Sequence, residues 1–259
     1  MNRLYNIIIF ILFFTNILSS NVVASDKNSI KLLNMINHQR MLSQQITKAY
    51  LYAGNKIAID DANKEIKSSL REFKSCYYKI NSLTTDKKVK RVINSVKNST
   101  NQFIILSQKP LNTKNAKLML NLSESILKKS ERVISLLKKD INSNDSEFIA
   151  LLGQQGMLAQ RIAKYYIAYQ SDKSKKTKRN MENSIKLFAK NHKKLMKYRK
   201  STNPKIAKKL KEIDRLWKIV HQFYTNIERG KLPLIVFETT DNITNQMNEL
   251  IKIYTAQIK

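Results

Sequence analysis

Asn37-His38-Gln39-Arg40-Met41-Leu42-Ser43-Gln44-Gln45-Ile46-Thr47-Lys48-Ala49-Tyr50 returns 116 positions later as Gly153-Gln154-Gln155-Gly156-Met157-Leu158-Ala159-Gln160-Arg161-Ile162-Ala163-Lys164-Tyr165-Tyr166. Gln39, Met41, Leu42, Gln44, Ile46, Lys48 and Tyr50 are unchanged in the second copy. Around the first copy, Leu32, Met35, Gln39, Leu42, Ile46, Ala49 and Ala53 fall at i+3/i+4 spacing; Phe148, Leu151, Gln155, Leu158, Ile162, Tyr165 and Tyr169 repeat that stripe. This is the period of an amphipathic helix. The repeat therefore sets the architecture.

Working outward, the same period predicts eight helices. The first covers about 29–53 and ends at Gly54-Asn55; the second covers about 59–83. Thr84-Thr85-Asp86 caps a third that runs to about 107, and Lys109-Pro110 breaks it. Asn112-Thr113 starts a fourth, through Leu137. Asn142-Ser143-Asn144-Asp145 supplies N-cap residues for the fifth. A lysine-rich loop at 173–179 separates it from a sixth at about 181–199. Asn203-Pro204 opens the seventh, and Gly230 and Pro233 precede an eighth at about 234–258.

The likeness extends past the first helix of each set: Ile93, Gln102 and Phe103 match Ile213, Gln222 and Phe223. The economical reading is an all-α chain of two tandem antiparallel four-helix bundles built from an internal repeat, at 25–141 and 142–259, after a signal peptide at 1–24. Short connections make neighbouring helices antiparallel. Packing side by side and packing end to end are both open, as is a solenoid of helix pairs.

Composition agrees. With 4 Gly and 3 Pro in 259 residues, turns are too few for a sheet protein. Arg3 followed by the apolar run 7–18 and by Val22-Val23-Ala24 reads as a secretory signal cleaved after Ala24. The run is shorter than the roughly 20 residues that span a bilayer, so an uncleaved anchor is the lesser alternative. The expected product is a soluble periplasmic protein of about 235 residues. The single cysteine, Cys76, forms no internal disulfide and reads as a partly buried helix residue.

Arg40 stands off the core stripe, on a second face with Leu33, Ile36, Asn37, Ser43, Gln44 and Thr47. That face is half apolar, so it meets something other than bulk water. Its counterpart carries Ile149, Leu152, Gly153, Gly156, Ala159, Gln160 and Ala163. Two glycines inside a helix cost about 1 kcal/mol each relative to alanine, and close approach of another backbone is a reason to keep them. We expect the first and fifth helices to lie against each other, with Arg40 over the glycine/alanine surface. Neither copy contains a carboxylate. A buried unpaired charge costs several kcal/mol, and a small oxyanion held by Arg40, Asn37, Ser43, Gln44, Gly153, Gly156 and Gln160 would satisfy it. Snorkelling of Arg40 to solvent, or a distant acidic partner, is the alternative.

Gln39-Arg40-Met41-Leu42-Ser43-Gln44, followed by Lys48-Ala49-Tyr50, resembles the start of the PilJ-type (NarX-like) sensor domain. That domain is the periplasmic part of type IV pilus chemotaxis transducers and of nitrate/nitrite sensor kinases. Both repeats resemble it, so the likeness covers nearly all of the chain after residue 24. It implies a four-helix antiparallel bundle and a sensory role. In the nitrate sensors the arginine of the Arg-Met pair binds nitrate at a homodimer seam, with backbone from a glycine three residues earlier. Arg40-Met41 matches the pair, but Asn37 replaces the glycine. The second copy has Gly153 but carries Gly156 in place of the arginine. The resemblance thus implies one shared site for a small anion such as nitrate or nitrite. No signalling module follows, so a stand-alone binding protein accessory to a membrane receptor or sensor kinase is expected.

The alternative rests on charge. The chain has a formal net charge of +29, and 173–218 holds 18 Lys/Arg against Glu182, Glu212 and Asp214. Such a face suits an anionic envelope surface or another polyanion, through counterion release. Phe188, Tyr198 and Trp217 interleave too sparsely for a single-stranded nucleic-acid platform. Enzyme chemistry finds no support. His38, His192 and His221 lack metal-ligand spacing, and there is no phosphate loop, nucleophile elbow or carboxylate pair. No cofactor is implied. Met41, Met157 and Trp217 read as packing residues.

Overall fold

The computed structural model describes residues 2–140, 144–199, 203–225, 227 and 232–257, with side chains from Asn28 onward except 139–140 and 144–145. Among these residues every regular element is a helix: α1 Asn2–Gly54, α2 Ile59–Leu83, α3 Lys87–Asn94, α4 Lys97–Leu106, α5 Thr113–Asp140, α6 Asn144–Asp172, α7 Lys175–Tyr198, α8 Pro204–Thr225 and α9 Pro233–Thr255. The all-α expectation holds. The expected leader at 1–24 falls where no side chains are described, and the expected boundary at 141/142 lies outside the described residues. Among the described residues no helix is long and apolar enough to cross a membrane.

Three helix boundaries differ from the sequence reading. The first helix begins not at about 29 but at Asn2, and runs without a break past the expected cleavage point to Gly54. The third helix is broken at Ser95-Val96 into α3 and α4. Ser95 Oγ donates to Val92 O at 2.7 Å and Val96 N to Ile93 O at 3.1 Å. These tight i−3 bonds accompany the break. The lysine-rich stretch 173–179 is not a loop: α7 starts at Lys175. Lys173 takes a left-handed conformation, φ 50°, which ends α6 in one residue. Ser174 then caps α7, its Oγ accepting from Thr177 N at 3.4 Å. Asp172 holds the turn by accepting from Ser174 N and Thr177 Oγ1, both at 2.8 Å. Flexible-looking lysines are here the exposed residues of a helix start.

α1 and α6 are the hubs. α1 packs on α2, α5 and α6, while α6 packs on α1, α7 and α9. α3 and α4 lie on α5, and α8 joins α7 to α9. The two groups of helices are therefore side by side, with α1 against α6. Asn37 lies against Gly153, and Ser171 Oγ donates to Asn55 Oδ1 at 2.8 Å. Both pairs are 116 positions apart, so α1 and α6 run parallel and in register. This explains the half-apolar face. Leu42 and Ile46 bury one side of α1, while Leu33, Ile36, Asn37, Arg40, Ser43, Gln44 and Thr47 bury the other.

Glycine permits two close approaches. A Cβ on Gly153 would stand 2.6 Å from Asn37 Cγ, and one on Gly54 would stand 2.1 Å from Leu111 Cδ2. Gly156 differs from expectation. It faces α9, where a Cβ would meet Met247 and Thr244 at 3.7 and 3.8 Å, which is ordinary van der Waals contact. Aromatic pairs fill the outer core. Phe188 stacks on Trp217 at 4.2 Å, and Phe73 tilts on Phe103 at 5.5 Å. Burying a side chain such as Phe contributes about 1.5–3 kcal/mol. Cys76 is free and half-buried in α2.

Candidate ligand site at the helix seam

The seam is rich in polar groups, because each hub helix is wrapped on nearly every side. Its largest charges are two lysines that the repeat leaves unchanged, Lys48 and Lys164, with side chains 0% exposed. Each reaches past the seam to an outer helix of the other group. Lys48 of α1 pairs with Asp241 of α9, and with Glu65 of α2 at 2.9 Å. Lys164 of α6 pairs with Glu124 of α5 at 2.7 Å. The two glutamines of the repeat complete these clusters. Gln160 Nε2 donates to Asp241 Oδ1 at 2.8 Å and to Thr244 Oγ1 at 3.0 Å. Gln44 Oε1 accepts from Lys164 Nζ at 2.5 Å, and its Nε2 donates to Ser123 O at 3.2 Å. Arg161 binds Glu124 bidentately, Nε to Oε1 at 3.0 Å and Nη2 to Oε2 at 2.8 Å.

The acidities follow from these contacts. Burial pushes the Glu124 carboxyl up, but the charge of Lys164 and the bonds from Arg161 outweigh it and hold it at about 2. Burial lifts Glu65 to about 7 against the opposing charge of Lys48. Burial lowers Lys164 to about 8, against the pull of Glu124.

Arg40 is the contrast. It is 3% exposed, two turns before Lys48 on α1. Its Nη2 donates to Ala150 O of α6 at a long 3.4 Å, and its Nε has no partner. Burial lowers its pKa to about 10, partly opposed by the charge of Glu131, so it stays a cation at neutral pH. Arg40 lines a cleft of about 590 Å³ between α1, α5, α6 and α7, together with Glu131, Lys138, Glu147, Gln154 and Lys194. A second cleft, of about 720 Å³, opens on the other side of the seam over Asn37 and Gly153. There His38 Nε2 meets Glu72 Oε2 at 2.9 Å, and both amide atoms of Asn37 are buried without partners.

The residues grouped from sequence thus separate. Asn37 and Gly153 meet at the seam, one turn from Arg40. Ser43 Oγ donates to Arg40 O at 2.7 Å and accepts from Gln44 Nε2 at 3.1 Å. Gly156 O accepts from Thr244 Oγ1 at 3.3 Å. Ser43, Gln44 and Gly156 are committed within the protein, Gln160 through its Nε2 while its Oε1 has no partner, and the cleft over Arg40 contains none of the four. Sequence reading passed over Lys48, Lys164, Glu65, Glu124 and Asp241. A usable signal existed: the lysine is unchanged in both copies, four residues after an unchanged glutamine on a buried face. Glu124 and Asp241 are also 117 apart, close to the repeat offset.

Hubs in parallel, wrapped by outer helices and enclosing a polar seam, define an all-helical module with clefts that draw on both helix groups. Within it, residues 140–234 match the family PilJ, described as type IV pili methyl-accepting chemotaxis transducer N-term. The similarity is confined to one segment, from α6 to the start of α9, and Arg40 lies outside it. No curated protein and no solved structure matches the chain significantly.

Proposed function

We propose that this chain is a periplasmic or secreted sensing module, without enzymatic activity, that binds a negatively charged group in the cleft over Arg40. One observation carries the reading: a buried guanidinium whose Nε has no partner and whose hydrogen bond to Ala150 O is long. Hydrogen bonds to charged groups contribute about 1.5–3 kcal/mol each, so an oxyanion there gains what the protein leaves unmade. The PilJ match at 140–234 supports a sensory role. In this reading 25–141 and 142–259 are tandem units of one NarX-like kind, and the parallel α1/α6 seam stands where related sensors have a homodimer seam. After cleavage at Ala24 the protein serves as an accessory to a membrane receptor or sensor kinase.

The test is a thermal-shift screen with nitrate, nitrite, sulfate and simple carboxylates on the native protein and on Arg40→Met. A stabilising anion whose effect disappears in Arg40→Met is expected. Absence of any shift with the native protein, for these anions and for amino acids alike, overturns the reading. A second reading has its own observation: Lys186, Lys190, Lys193, Lys194, Lys197, Lys208 and Lys211 stand exposed on α7 and α8. That face suits an anionic envelope surface. Vesicle or polyanion binding that falls steeply with salt and survives Arg40→Met would favour it.

A further inference from the structure

Resting on the reading of the Arg40 cleft as a ligand site, the geometry points to a zwitterion of the amino-acid class, carrying carboxylate and ammonium together, as the ligand that fits it. The cleft is not uniformly basic. It brings the buried Arg40 together with four exposed charges, Glu131 and Lys138 of α5, Glu147 of α6 and Lys194 of α7. Glu131 and Glu147 are exposed and make no ion pair among the described residues, while Arg40 has an unpartnered Nε. Opposite charges thus face one cavity without touching. Nitrate or sulfate would answer Arg40 and the two lysines but would leave Glu131 and Glu147 without a positive partner. A ligand that brings a carboxylate to the guanidinium and an ammonium to Glu131 or Glu147 answers both sides.

The remaining lining fits the rest of such a molecule. Ile134, Ala150 and Leu151 supply an apolar wall. Asn191 Nδ2 donates to Gln154 Oε1 at 2.8 Å, so the positions of both are set before any ligand arrives. A volume of about 590 Å³ accommodates an amino acid with an apolar side chain. Lys138 and Lys194 are exposed, as are Glu131 and Glu147, so all four charges are screened by solvent and salt more than that of Arg40. The carboxylate is therefore expected at Arg40 rather than at the lysines.

Calorimetric titration decides the matter, with leucine and alanine compared with their deaminated counterparts, 4-methylpentanoate and propanoate, and with nitrate. The expected result is that an amino acid binds at least about tenfold more tightly than its deaminated counterpart, a free-energy difference of about 1.4 kcal/mol. Glu131→Gln combined with Glu147→Gln should remove that preference. Both positions are exposed, so the double variant keeps its fold, checked by its unfolding midpoint. If nitrate or the deaminated acids bind as tightly as the amino acids through Arg40, or if the double variant keeps the preference, the zwitterion proposal falls while the Arg40 site stands. If no probe binds the native protein, both fall together.

Discussion

Lys48 and Lys164 sit in the same seam as Arg40 and are buried at least as deeply, yet they end in opposite states. Each lysine is met by a carboxylate from an outer helix of the other group, with a glutamine beside it. Arg40 receives one long carbonyl contact and leaves its Nε unmatched. The difference separates charges that hold the seam from a charge that waits on its edge. A satisfied buried pair holds two helix groups in one register; an incompletely satisfied guanidinium beside a cleft is available to something else.

The largest effect should come from breaking a satisfied pair. Glu124→Ala leaves Lys164 buried without a carboxylate, and urea unfolding should show a loss of about 3–5 kcal/mol. Asp241→Ala should cost less, because Lys48 keeps Glu65 at 2.9 Å. Equal losses would show that the second carboxylate does not share the charge.

The next effect is pH-dependent. Glu65 ionises at about 7 in the fold against 4.5 ordinarily. Between those values the folded chain holds a proton that the unfolded chain has released. Its stabilising contribution is therefore full below about 4.5 and is lost as pH rises through 7, up to about 3 kcal/mol. Stability curves of the native protein and Glu65→Gln should diverge over that window; parallel curves would contradict the assignment.

A smaller change tests the register of α1 on α6. Gly153→Ala puts a Cβ into Asn37, and overpacking typically costs about 1–3 kcal/mol, offset by about 1 kcal/mol of helix propensity. A net loss is expected by thermal unfolding. Gly156→Ala meets no such obstacle and should be neutral or stabilising. The smallest stability change belongs to Arg40→Met, within about 1 kcal/mol of native or above it, since an unpaired buried cation gives way to an apolar chain. A loss of about 3 kcal/mol or more, the cost of breaking a buried pair, would place Arg40 with the lysines, as a structural charge.

Much of the fold was legible because helices announce themselves locally. The period of Leu42, Ile46 and Ala49 and the N-cap at Asp86 lie within a few residues of the turns they shape. The departures are local too: a helix that the apolar pattern treats as continuous breaks at Ser95-Val96, and the left-handed Lys173 shortens a lysine-rich loop to a turn. The glycine/alanine face correctly pointed to close approach of α1 and α6 at Gly153, but Gly156 turned out to look at α9.

The candidate site was legible only at Arg40. A buried cation can be suspected from its place on a half-apolar helix face, but its partners cannot be read there. Asp241 lies 193 positions from Lys48, and Glu124 lies 40 from Lys164. By itself the sequence determined an all-helical chain with one motif used twice, because helical period and repetition are properties of neighbouring residues. Tertiary structure alone decided which buried charges are satisfied. Charge pairing depends on distance in space, and packing α1 beside α6 brought carboxylates to the lysines and left the arginine facing a cleft.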